Sequence, residues 1–147
     1  VEVAGSIDLG NGFTVFAGGA FEDAESGDNQ LINVYVTYET GAWLFAAELN
    51  LEENESFFGV DAEATSALLM ANYAYSDVAS VTARISMVDL EIDDFETVEF
   101  TKYTVAHNHA LSDNLLLVTE VSFDDGELFG VADGENLTFA AELLFSF

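Results

Sequence analysis

Three features are absent or scarce in this sequence, and each absence argues against a class of protein. There is no cysteine, so neither a disulfide framework nor a thiolate metal site is possible. Two basic residues stand against 28 acidic ones, a formal net charge of −26, which argues against binding to nucleic acid or to anionic membrane surfaces. No apolar run approaches the roughly 18–20 residues of a transmembrane helix.

What the chain does have is hydrophobicity with a period of two. Half of its residues are hydrophobic, so disorder is disfavoured in spite of the charge. The final segment, NLTFAAELLFSF (136–147), alternates between a more apolar and a more polar face. The predicted strands cover about 1–9, 12–22, 30–40, 42–52, 64–75, 79–91, 97–110, 114–124 and 136–147. No linker divides them, so we expect one all-β domain, residues 1–147, of antiparallel up-and-down strands.

Strand length and connection length favour a barrel that spans a membrane. Most predicted strands have about 9–13 residues, which exceeds the usual length in globular sheets and is close to the roughly 9–11 that cross a bilayer at a tilt. Tight turns alternate with longer acidic connections at 23–29, 53–63, 92–96 and 125–135. Outer-membrane β-barrels have this alternation, although a soluble up-and-down barrel shares it.

Aromatic residues on the apolar faces are sorted by their position along the strands. Small and aliphatic residues occupy the middle, and aromatic residues return at the long-loop ends as Phe21, Phe57, Phe123 and Phe139. The packed core of a soluble barrel gives no reason for such sorting, whereas two aromatic belts bracket the lipid-facing band of a membrane barrel. The predicted membrane girdle beside the short turns consists of Phe13, Tyr38, Trp43, Tyr73, Tyr75, Phe145 and Phe147.

The opposite, polar faces then line the interior. The predicted pore-lining residues are Glu48, Arg84, Lys102, Glu120 and Glu142. The two cations lie on adjacent predicted strands, and counting about their connection puts residue 84 roughly opposite residue 103. They either form ordinary salt bridges with lumenal acids or make a positive spot in a negative pore, and the sequence leaves both open.

The lumenal acids and the number of strands indicate a barrel wider than this chain. In an interior just filled by side chains, several carboxylates would be buried without a cation. Single-chain bacterial barrels also have an even number of strands, whereas about nine are predicted here. We therefore expect this chain to be the C-terminal part of a larger barrel.

Three segments resemble the last strands of Gram-negative outer-membrane porins, particularly the OmpL-like β-barrel porin family. They are LLMANYAYSD (68–77), YTVAHNHALSDNLLLVTEVSFDDG (103–126) and NLTFAAELLFSF (136–147). The resemblance implies a multi-pass β-barrel of the bacterial outer membrane. It also implies that Phe147, with the alternating aromatic residues before it, is the C-terminal signal read by the barrel-insertion machinery.

Few residues point to other chemistry. His107 and His109 share a strand face at a spacing that can hold a metal, but no third ligand is evident, so no metal site is assigned. The acidic connections offer carboxylates for Ca²⁺ without the glycine spacing of a calcium loop. No nucleophile elbow, phosphate loop or zinc motif occurs, so we expect no enzyme and no cofactor.

The expected function is passive diffusion of small hydrophilic solutes or ions through an outer-membrane porin, with a cation preference from the acidic lumen. The alternative is a small closed barrel with a structural, adhesive or surface-shielding role. A soluble lipid-binding barrel is a third class, and it requires the apolar faces to point inwards. Expected partners are outer-membrane lipid, lipopolysaccharide and the permeating solutes, and a homo-oligomer stays open.

Overall fold

The computed structural model describes residues 1–24, 27–55, 61–92, 95–128 and 132–146, and these form a single antiparallel sheet. Each strand pairs with the next one along the chain, which confirms the predicted all-β, up-and-down architecture. Within the described ranges, no helix is long and apolar enough to span a membrane. The strands are β1 (Glu2–Gly10), β2 (Phe13–Ala24), β3 (Gly27–Thr40), β4 (Trp43–Glu55), β5 (Asp61–Ser76), β6 (Ala79–Ile92), β7 (Phe95–Ser112), β8 (Leu115–Leu128) and β9 (Ala132–Phe145).

All four predicted long connections are mostly strand, and two of them show it clearly. The pairing of β2 with β3 continues to Ala24 and Gly27, and that of β6 with β7 continues to Ile92 and Phe95. Acidic side chains hid these extensions in the sequence, because they replace the apolar residues on which the period of two depends. The backbone still pairs there, since each strand satisfies the peptide groups of its neighbour.

The short turn between β1 and β2 needs a glycine at one position. Gly12 has a φ of 85°, and its carbonyl accepts a hydrogen bond of 2.9 Å from the Glu39 backbone N–H on β3. A Cβ added to Gly12 would lie 2.0 Å from the Glu39 carbonyl oxygen. The turn therefore packs directly on the end of β3, and no side chain fits between them.

Gly12→Ala is expected to destabilise the folded protein more than Gly41→Ala. Both glycines have positive φ, which costs an alanine about 1–2 kcal/mol, but a Cβ at Gly41 meets nothing within 4 Å. The clash at Gly12 adds a further overpacking penalty of about 1–3 kcal/mol. Urea unfolding of the two variants in detergent micelles measures the difference. Equal unfolding midpoints would mean that the turn can move away from β3 without loss.

The two faces of the sheet differ in polarity and in exposure. On the apolar face, side chains in the middle of the sheet are widely exposed: Leu69 is 54% exposed and Val105 is 49% exposed. On the polar face, Thr104 is 5% exposed and Ser122 is 2% exposed. A soluble barrel hides its apolar face inside, so this arrangement is the reverse of what a soluble lipid-binding barrel requires.

The sheet is open. Among the described residues, β1 and β9 each pair along one edge, and the two strands run in the same direction because they are an even number of antiparallel steps apart. An open edge cannot lie in lipid, where unpaired peptide groups have no water to bond.

Candidate functional site

The exposed apolar face forms a belt about one bilayer high. Along β4 it begins at Trp43, continues through alternate apolar residues to Leu51, and ends at Glu53. The span from Trp43 to Leu51 agrees with the roughly 9–11 residues that cross a bilayer at a tilt. On the neighbouring strands this face is also apolar, up to Ile32, Ala67 and Met87, and it is polar or acidic beyond them.

Aromatic rings stack along the short-turn end of this belt. Phe13 packs on Tyr38 with ring centroids 4.1 Å apart, and Trp43 packs on Tyr73 at 4.5 Å and on Phe45 at 5.6 Å. Ring contacts between neighbouring strands, as in Phe13–Tyr38 and Trp43–Tyr73, stabilise a sheet beyond the area they bury, and the Trp43–Phe45 contact lies within β4. The predicted girdle residues on this apolar face are Phe13, Tyr38, Trp43, Tyr73, Tyr75 and Phe145. Phe147 and Phe57 lie outside the described residues.

The two histidines also lie on this face near the short-turn end. The Tyr75 hydroxyl and His107 Nε2 are 2.6 Å apart, and the rings of His107 and His109 stack with centroids 6.0 Å apart. Among the described residues there is no group of three or more histidine, aspartate or glutamate side chains that could hold a metal ion. The pair thus gains no third ligand from the fold.

The long-loop end of the same face is acidic. Glu53 of β4 lies directly opposite Glu63 of β5, and Glu63 lies directly opposite Glu91 of β6. Like charges placed opposite each other destabilise a sheet unless water or counterions surround them. The residues of this acidic rim are Glu53, Glu63, Asp89, Glu91, Glu99, Asp125 and Glu135. At this level of the sheet the same face changes from apolar to acidic side chains, so the apolar belt ends here.

The predicted pore-lining residues share the polar face. Lys102 Nζ lies 3.5 Å from Asp124 Oδ1, and this ion pair is partly exposed. Arg84 has Met70 and Thr104 directly opposite it on the adjacent strands, and its Nε is buried without a hydrogen-bond partner among the described residues. The two cations therefore differ: Lys102 is paired with a carboxylate, whereas Arg84 has no carboxylate partner within the described part of the chain.

The predicted pairing of residue 84 with residue 103 was wrong by one position. Pairing begins with Ile92 opposite Phe95, and a β-bulge at Leu90 and Glu91 then shifts the register, so that Arg84 lies opposite Thr104. A shift of one residue moves every side chain to the other face. The bulge is thus what brings Arg84 and Lys102 to the same face as diagonal neighbours.

Two clusters of hydrogen-bonded side chains cross the polar face. In the first, the Asn33 amide donates to Glu48 Oε1 at 2.8 Å and to Asn50 Oδ1 at 2.5 Å, and the Asn50 amide donates to Ser66 at 3.2 Å. In the second, the Asn72 amide donates to Thr82 at 2.7 Å and to Ser80 at 3.2 Å, and Asn108 donates to Ser80 at 3.3 Å. We call them the Glu48 cluster and the Asn72 cluster.

Several residues of this face were not predicted from the sequence. Tyr35 lies between Phe16 and Glu48 in register, and all three belong to the polar face. Ser66 and Asn72 complete the two clusters. The signal that could have found them is alternation alone, because Tyr35 has the same parity along β3 as Asn33 and Thr37.

An antiparallel up-and-down sheet with an exposed apolar belt, an aromatic girdle and a polar opposite face has the architecture of the wall of an outer-membrane β-barrel. The sequence profile of the Gram-negative porin family matches residues 1–127. The chain belongs to this family, and its place is the bacterial outer membrane. This confirms the resemblance to outer-membrane porins: the match includes the segments 68–77 and 103–126 and the strands before them, whereas the segment 136–147 lies outside it.

A solved structure is similar over the whole chain. It is OmpT (in-vitro folded), an outer membrane protein of Vibrio cholerae, with a TM-score of 0.78 and 14% sequence identity. The similarity covers 99% of this chain and 55% of that chain, so this chain spans about half the length of its structural relative. At this identity the similarity shows the fold. The comparison with curated proteins finds no match.

Proposed function

We propose that the protein forms a passive diffusion channel for small hydrophilic solutes and ions, with a preference for cations, and that it is neither an enzyme nor a cofactor-binding protein. One observation carries the proposal: the polar face of this porin holds Glu48, Glu120 and Glu142, and none of them forms an ion pair with a described residue. Unpaired carboxylates remain charged at low cost only where water reaches them. A wide, wet lumen meets that condition.

The distribution of charge supports the direction of the selectivity. A wall with carboxylates of one sign concentrates counterions of the opposite sign and repels anions. Asp124 offsets the charge of Lys102, so Arg84 is the remaining positive group on the described part of this wall. We therefore propose an ordinary salt bridge for Lys102 and a positive spot in the negative pore for Arg84.

The open sheet disfavours the small closed barrel. Closing nine antiparallel strands on themselves requires a parallel pair between β1 and β9, whereas single-chain bacterial barrels have even strand numbers. We propose that an odd number of further strands closes the barrel, which also widens the lumen. The acidic rim would then face lipopolysaccharide, with divalent cations as weak bridges, and Phe147 would serve the insertion machinery.

Conductance in a planar bilayer under a salt gradient tests the channel. With the native full-length protein we expect stepwise openings and a reversal potential of the sign that cation selectivity produces. A heat-denatured sample is the control for leaks, and flotation of the protein with lipid vesicles verifies insertion. Protein that floats with the vesicles but passes no current would contradict the proposal and leave a plugged or closed barrel.

A further inference from the structure

The Glu48 cluster lies beside two aromatic residues on the polar face. Tyr35 of β3 is directly opposite Phe16 of β2 on one side and Glu48 of β4 on the other. The Phe16 ring leans along its own strand: a Cβ added to Gly18 would lie 3.2 Å from its Cζ and 3.3 Å from its Cε1. The glycine thus leaves room for the ring against the wall.

Part of the hydrogen-bonding capacity of this region is unused. Glu48 accepts through Oε1, whereas its Oε2 and the Tyr35 hydroxyl make no hydrogen bond to any described residue. The amides of Asn33 and Asn50 hold the carboxylate in place, so its free oxygen is positioned in advance. The region therefore offers an oriented acceptor, a phenol that both donates and accepts, and aromatic rings within one row of the sheet.

This combination matches the chemistry of a sugar ring. The C–H bonds of a pyranose carry a slight positive charge that suits the negative face of an aromatic ring. Its neighbouring hydroxyl groups both donate and accept, so they pair with carboxylate, amide and phenol groups. A simple anion would be repelled by the ring faces and by Glu48, and a simple cation has no hydroxyl groups that could both donate to the carboxylate and accept from the phenol.

We propose that Phe16, Tyr35 and Glu48, with the amides of Asn33 and Asn50, form a binding subsite for neutral sugars on the channel wall. The proposal rests on the channel function proposed above and names a solute class for it. Charge cannot select among neutral solutes, so hydrogen bonds and aromatic contacts are the means by which this acidic lumen distinguishes them.

The Asn72 cluster provides an internal comparison. It has the same kinds of polar side chains, hydrogen-bonded in the same way, on the same face. Its direct neighbours across the strands include Leu44 and Ala106, and it contains neither a carboxylate nor an aromatic ring. We therefore expect the Asn72 cluster to have no affinity for sugar.

Two measurements on the native full-length protein test the subsite. Isothermal titration calorimetry of the detergent-folded protein with maltotriose measures binding without requiring conduction. In planar bilayers, maltotriose should reduce the ion current with saturation, whereas a polyethylene glycol of equal hydrodynamic size should reduce it without saturation.

Tyr35→Ala and Glu48→Gln should each raise the half-saturating concentration of maltotriose by about five- to tenfold, a loss comparable to one or two hydrogen bonds. Asn72→Ala should leave it unchanged.

The outcomes separate the two proposals. Maltotriose binding without current would support the subsite and contradict the channel. Current without maltotriose binding would overturn the subsite and leave the channel standing. Equal weakening by Tyr35→Ala and Asn72→Ala would also overturn the subsite, because the sugar would then be responding to the wall in general.

Discussion

Leu69→Arg is expected to prevent insertion of the barrel into lipid, whereas Leu68→Arg is expected to insert almost normally. The two residues are adjacent on β5 but point to opposite faces. Leu69 lies midway along the apolar belt and is 54% exposed, and Leu68 lies between Glu48 and Ser86 on the polar face. An arginine facing lipid at the bilayer midplane costs about 2–4 kcal/mol, and one facing a wet lumen costs little.

Folding into preformed lipid vesicles by dilution from urea measures this difference. The folded fraction is read from heat-modifiable mobility in gels, and insertion is read from flotation. Leu69→Phe is a second control, because it changes the volume at the same position and keeps it apolar. If Leu69→Arg inserted as well as Leu68→Arg, the exposed apolar face would not be the face in contact with lipid.

The comparison of neighbouring residues also shows why the faces were predictable from the sequence. Alternation with a period of two assigns each residue of a strand to one side without knowledge of its partners, as it does for Leu68 and Leu69. The aromatic residues also indicated the position along each strand, because they recur beside the short turns at Tyr38, Trp43 and Tyr73. The assignment of residues to faces and to positions along the strands predicts an up-and-down barrel whose apolar face points outwards, the reverse of a soluble barrel.

The relation between neighbouring strands was harder to predict. Counting outwards from the connection between β6 and β7 placed residue 84 opposite residue 103, and this is the register with which the hairpin begins at Ile92 and Phe95. The bulge at Leu90 and Glu91 adds one residue to the count, and nothing in the local sequence marks it. The extensions of β2 to β9 into the long connections were missed because acidic side chains there replace the apolar residues on which the period of two depends.

The side-chain clusters depend on the register between neighbouring strands, which alternation within one strand does not give. Asn33 and Ser66 come from the strands on either side of Asn50, and only exact pairing brings them within hydrogen-bond distance of it. Tyr35 is an exception to the pattern of aromatic residues on the apolar face, because its parity puts it on the polar face.

Replacing Glu48, Glu120 and Glu142 together by glutamine is expected to reduce the cation preference of the channel. The change removes three negative charges from the wall and keeps the size of each side chain. In dilute salt we expect the cation-to-anion permeability ratio to fall on the order of threefold to tenfold, because the wall no longer concentrates cations. At about 1 M salt the Debye length is about 3 Å, so the difference should shrink. The reversal potential under a salt gradient measures the ratio.

A matched control removes the same number of charges from the other face. Glu53, Glu63 and Glu91 are in register on the acidic rim, so the corresponding triple glutamine variant should leave the ratio nearly unchanged. Arg84→Gln should shift the ratio the other way, towards cations, because it removes a positive group that no described carboxylate neutralises. If both triple variants lowered the ratio equally, the net charge of the protein would set the selectivity. If charges in the lumen set the selectivity, the polar-face triple variant lowers the permeability ratio, Arg84→Gln raises it, and the rim variant leaves it nearly unchanged.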